Sequence, residues 1–107
     1  MSCEYIMVIT TCSDKESAKR LANVLVGERL AACAQLTPIE SIYAWKGEVC
    51  IENETMLLLK TKEALFDKLV AVIKENHLYE VPEIVQLPIT SGLPEYLSWM
   101  DETLLQA

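Results

Sequence analysis

The chain has 107 residues and a formal net charge of −7, with 51% hydrophobic and 23% charged residues. That length suits one domain over residues 1–107 and is enough to close a core, with roughly 65% of the unfolded surface buried. The composition excludes a disordered acidic tail, and the negative charge without a basic run argues against nucleic acid or an anionic membrane as partner.

The first predicted element is a strand from Tyr5 to Thr11, whose short apolar run Ile6-Met7-Val8-Ile9 reads as central and buried on both faces. Ser13-Asp14-Lys15-Glu16 then fits a capping box, with the Ser13 hydroxyl on the Glu16 amide. The helix that follows, to about Arg29, places Ala18, Leu21, Ala22, Leu25 and Val26 on one face. Cys33, in the run Leu30-Ala31-Ala32-Cys33-Ala34, reads as core.

From Ala31 to Lys60 the helical stripe disappears. Ile39, Ser41, Tyr43 and Trp45 share one strand face, and Val49 and Ile51 alternate with Glu48 and Glu52. Lys46-Gly47 is the predicted turn of a hairpin, Pro38 belongs at an edge or bulge, and Met56-Leu57-Leu58-Leu59 closes the unit as a buried strand. Each arm exceeds ten residues, where an ordinary strand has about five or six. A small domain cannot cover that much strand, so the distal part offers rings and edge amides to another chain. The hairpin therefore predicts an oligomer.

A second helix is predicted from about Lys62 to Asn76, capped by Thr61, with Leu65, Leu69, Val72 and Ile73 inward. The loop His77 to Glu83 follows, then a strand through Ile84, Val85, Leu87 and Ile89. Pro94 opens a last helix to about Leu105, with Tyr96, Leu97, Met100 and Leu104 on one side. Strand, helix, strand, strand, helix, strand, helix is the split-βαβ, or ferredoxin-like, α+β plan with an antiparallel sheet. Right-handed crossovers put the two main helices on one face, leaving the other for partner subunits or the terminal helix.

No phosphate-binding, dinucleotide or hydrolase motif occurs, and the reading is non-enzymatic. The four cysteines are scattered without a C-x-x-C pair, so a structural metal site is not expected. A Cys12–His77 nucleophilic pair rests on composition alone and is set aside. His77 is instead a candidate ligand for copper or zinc, helped by Glu80 or Glu83, against the plainer role of a loop or cap hydrogen bond. Tyr43, Trp45, Tyr79 and Trp99 read as packing or as the wall of an intersubunit cleft in which Lys60 or Glu54 meets a small ligand. Glu48, Glu52 and Glu54 read as a solvated strand face. The absence of a leader pattern or a long apolar segment makes the cytosol the expected compartment.

Thr10-Thr11, Leu30-Ala31-Ala32-Cys33, Ser41-Ile42-Tyr43-Ala44-Trp45-Lys46-Gly47, Lys60-Thr61, His77-Leu78-Tyr79-Glu80-Val81-Pro82-Glu83 and Tyr96-Leu97-Ser98-Trp99 together resemble the CutA divalent-cation tolerance family. The resemblance covers nearly the whole chain in order. It implies a ferredoxin-like fold assembled as a homotrimer, a role in tolerance to copper and other divalent cations, and a likeness to PII signalling trimers that bind effectors between subunits. It points to His77 as a metal ligand, with Cys12 a weaker second, and requires no cofactor. Tyr43, Trp45, Lys60, Tyr79 and Glu83 are the cleft candidates. Where the family usually has Pro, this chain has Leu78. Some bacterial members have Cys and a second His at a proposed copper site, and Thr10 and Asn76 stand at those positions here.

Overall fold

The computed structural model describes residues 4–77 and 79–106, so Cys3 and Leu78 lie outside the described residues. Four strands and three helices follow in order: β1 Tyr5–Cys12, α1 Lys15–Gly27, β2 Cys33–Trp45, β3 Glu48–Lys62, α2 Phe66–Asn76, β4 Ile84–Pro88 and α3 Pro94–Thr103, with a short 3₁₀ turn at Glu63–Leu65. The sheet order is β2-β3-β1-β4 and every pairing is antiparallel. This is the expected ferredoxin-like plan.

Alternation along the central strands decides what is covered. Ile6 and Val8 of β1 and Leu57 and Leu59 of β3 are fully buried, together with Leu21 and Leu25 of α1 and Leu69 and Ile73 of α2. These residues form one core between the two main helices and one face of the sheet. The opposite face carries Met7 and Ile9, which are only half-buried, and Val85 and Leu87, which are exposed. The expectation that β1 is buried on both faces therefore fails within one chain. Its second face is only partly covered there.

α3 covers one end of that open face. Lys62 bonds Asp101, the Tyr5 hydroxyl donates to the same carboxylate at 2.9 Å, and the Lys60 ammonium lies 5.4 Å from the Tyr96 ring centroid. The Lys62 ammonium and the Tyr5 hydroxyl hold the Asp101 carboxyl below the usual aspartate range. A carboxyl depressed on folding stabilises the native state above the unfolded value, and that contribution is lost as pH falls through the folded one. Asp101→Asn should accordingly flatten the acid limb of a stability profile below about pH 4, while leaving the neutral-to-alkaline part parallel to wild type.

Local signals shifted where a neighbour competed. Asp14 rather than Ser13 caps α1, its carboxylate accepting from the Ser17 amide at 2.7 Å. A carboxylate at an N-cap also meets the positive end of the helix dipole. Thr61 caps nothing: it sits inside β3, fully buried, and donates to the Leu30 carbonyl at 2.7 Å. Arg29 lies past the end of α1 with φ 62°, and its guanidinium donates to the carbonyls of Thr103 and Leu104 at the C-terminus of α3. Cys33 opens β2 and is half-buried rather than core. Tyr96 is exposed, while Met100 and Leu104 are buried as expected.

The hairpin matches its prediction. β2 has 13 residues and β3 has 15, in continuous register from Cys33–Lys60 to Trp45–Glu48. Lys46 and Gly47 both take positive φ, 50° and 81°, as a two-residue turn of the type that matches strand twist requires. Pro38 lies on β2, the edge strand, where its missing amide costs no ladder bond to a further strand. The distal half projects past the helices, leaving Ile42, Val49 and Ile51 at 66%, 75% and 63% exposure.

Candidate functional site

A cleft of about 720 Å³ opens where the hairpin meets the loop after α2. The strands supply Thr11, Ser41, Tyr43, Trp45, Cys50, Glu52 and Glu54, and the loop supplies Tyr79, Glu80, Val81 and Glu83. Cross-strand partners share a sheet face, and the register pairs Ser41 with Glu52 and Tyr43 with Cys50. Polar and aromatic groups are thus gathered on the face away from α1 and α2.

Among the described residues, His77 and Tyr79 tie the loop to the sheet. The Tyr79 hydroxyl donates to Glu54 Oε2 at 2.6 Å, and the Tyr79 amide donates to His77 Nδ1 at 3.1 Å. His77 Nε2 lies 2.5 Å from the Thr11 carbonyl oxygen, which can only accept, so Nε2 carries the ring proton. The two rings pack with centroids 4.7 Å apart. Glu54 is only 9% exposed, so it is no part of a solvated face. Burial and the bond to Glu54 push the Tyr79 phenol far above the ordinary tyrosine range. Burial and the nearby Glu52 carboxylate push Tyr43 up as well. Both phenols stay neutral donors at physiological pH.

The expected site residues divide into three groups. Tyr43, Trp45, Tyr79 and Glu83 line the cleft together. Lys60 does not join them: it pairs with Met7 and Cys33 towards the far end of β3, and its ammonium lies against Tyr96. Trp99 is likewise on α3, tilted against Tyr96. Cys12 continues β1 and points to the same side as Thr10, towards the core and away from the cleft. Burial raises its thiol pKa, opposing formation of the thiolate. Thr11, Ser41, Cys50 and Val81 were not expected in the site, because the strand register and the loop path gather them. Alternation with Tyr43 was the available signal for Ser41.

The donor set is no ready cage for a divalent ion. Among the described residues, no three His, Cys, Asp or Glu side chains converge on one point. Both ring nitrogens of His77 are engaged, so a metal must displace one hydrogen bond to reach a lone pair. The lining contains four carboxylates and neither Lys nor Arg. It presents a cation-attracting wall rather than a coordination sphere.

The family model of the CutA1 divalent ion tolerance protein matches residues 6–103. The rice protein "Protein CutA 1, chloroplastic" is 46% identical over 96 residues, 89% of this chain but 54% of its own. The chain thus spans about half the length of that plant relative. The divalent-cation tolerance protein CutA of Thermus thermophilus is 47% identical over 97 residues, covering 90% of this chain and 94% of its own. The crystal structure of CutA1 from Oryza sativa superposes with a TM-score of 0.95 at 41% identity, covering 99% and 98% of the two chains.

Proposed function

The chain belongs to the CutA1 divalent ion tolerance protein family, and from that membership we propose that it acts in tolerance of divalent cations. The working form is a homotrimer. The single observation that carries this reading beyond the family name is the cleft's lining, with Glu52, Glu54, Glu80 and Glu83 gathered without a basic side chain. That field concentrates cations at the loop that His77 anchors.

Copper is the ion of choice, because imidazole suits it and His77 is the chain's one histidine. Binding at His77 has to be weak, since it exchanges a hydrogen bond for the metal. Cys12 stays out of reach unless the core opens. Calorimetric titration of Cu(II) into wild type and His77→Ala tests the assignment. A reduced heat in the variant is expected, and superimposable isotherms remove His77 from the site.

A second reading has its own support. An aromatic cleft of about 720 Å³ has the dimensions of small-molecule sites, which suits a signalling or scaffold trimer taking a ligand between subunits. Neither reading needs an enzyme: the buried Cys12 thiol and the doubly bonded His77 supply no activated nucleophile. The shared core supports treating residues 1–107 as one domain. Among the described residues no helix is long and apolar enough to cross a membrane. We place the protein in the cytoplasm, with neither nucleic acid nor membrane as partner.

A further inference from the structure

We propose that the cleft binds an aliphatic polyamine: two or more ammonium groups on a methylene chain. The inference rests on reading the cleft as a ligand site and names the ligand's chemical class. Three observations converge on it. The carboxylates of Glu52, Glu54, Glu80 and Glu83 line one cavity, yet no three of them meet at a point that would hold a metal ion. Glu52 and Glu54 are two residues apart on an extended strand, about 7 Å along it, a separation suited to successive ammonium groups on a short chain. The lining between and above them is apolar and aromatic, from Tyr43, Trp45 and Tyr79, which methylenes and cationic heads both favour.

One of these rings already carries an ammonium outside the lining. The Lys46 side chain, on the hairpin turn, lies 5.8 Å from the Trp45 ring centroid. The phenols of Tyr43 and Tyr79 are held neutral beside carboxylates, so they add hydrogen-bonding capacity without adding charge. A metal ion has too small a reach to meet these spread carboxylates together. An anion meets only like charge.

Spermidine titrated calorimetrically into the full chain tests the proposal at about 0.15 M ionic strength, where diffuse attraction is screened beyond about 8 Å. Saturable binding of one spermidine per protomer is expected. Glu52→Gln combined with Glu83→Gln should weaken it by about tenfold or more. Glu75→Gln combined with Glu102→Gln removes the same charge from exposed helix positions and should leave binding unchanged. No saturable heat, equal weakening by both pairs, or equal displacement by magnesium overturns the polyamine assignment. Stabilisation by ATP in a thermal-shift arm, with spermidine silent, overturns it too but leaves the cleft as a ligand site. The copper titration of His77→Ala reports on metal tolerance separately.

Discussion

Ile42→Lys combined with Ile51→Lys should convert a three-protomer species into single chains when followed by light scattering at micromolar concentration. The two side chains are cross-strand partners on the projecting hairpin, and both are more than 60% exposed in one chain. Lysine at such positions costs the isolated fold little. In an assembly that buries them, each loses about 1.5–3 kcal/mol of apolar transfer, so the pair weakens every contact by two decades or more. The open sheet face, with Met7, Ile9, Val85 and Leu87, adds apolar surface of the same kind. A wild type that scatters as a monomer refutes the trimer outright. Retention of the trimer by the variant moves the contact from the hairpin tip to that face.

Tyr79→Phe should lower stability by about 1–3 kcal/mol, because it leaves the nearly buried Glu54 carboxylate without its donor. The phenylalanine ring preserves the packing against His77, which isolates the hydroxyl as the cause. Adding Glu54→Gln to Tyr79→Phe should recover part of the loss, since an uncharged amide is less costly to strand. Denaturant unfolding of the four proteins of that cycle measures the coupling directly. A single substitution as stable as wild type would mean that solvent already satisfies Glu54. The 77–83 loop would then owe its position to His77 alone.

The hairpin and the Tyr79–Glu54 tie differ in how plainly the residues announce them. The hairpin was legible because its signals are local: alternation around Tyr43 and Trp45, and the Lys46-Gly47 pair between them. The ferredoxin-like plan, with both main helices on one face, followed from element sequence and crossover handedness alone. Caps were less legible, since Ser13 and Asp14 both offer an oxygen and the strand runs through Cys12, making Asp14 the first residue placed to cap. Thr61 looked like a cap only because β3 was expected to stop short of it; the strand continues to Lys62.

The site was half legible for the same reason. Tyr43, Trp45, Tyr79 and Glu83, expected in a cleft between subunits, line one cavity within a single chain. Within one chain Lys60 lies apart from the cleft because β3 runs straight on past Glu54, and six further residues carry it about 20 Å along the strand. Glu54 reads from the sequence either as part of a solvated strand face or as a cleft group; it lines the cleft, bonded by Tyr79 from 25 residues away. Cys33 sits among alanines that are buried, but the first residue of an edge strand is only partly covered.

β3 runs without a break from Glu48 at the turn to Lys62 beside Asp101. Nothing along those 15 residues can act as a joint, so a push on the tip is delivered, stiffly, to the middle of the sheet. Compliance has to come from elsewhere, and the bond of Tyr79 to Glu54 is one place where it can be released. An occupant prising Tyr79 from Glu54 would thereby free the loop from the rod, while the ladders to β1 and β2 go on bracing it.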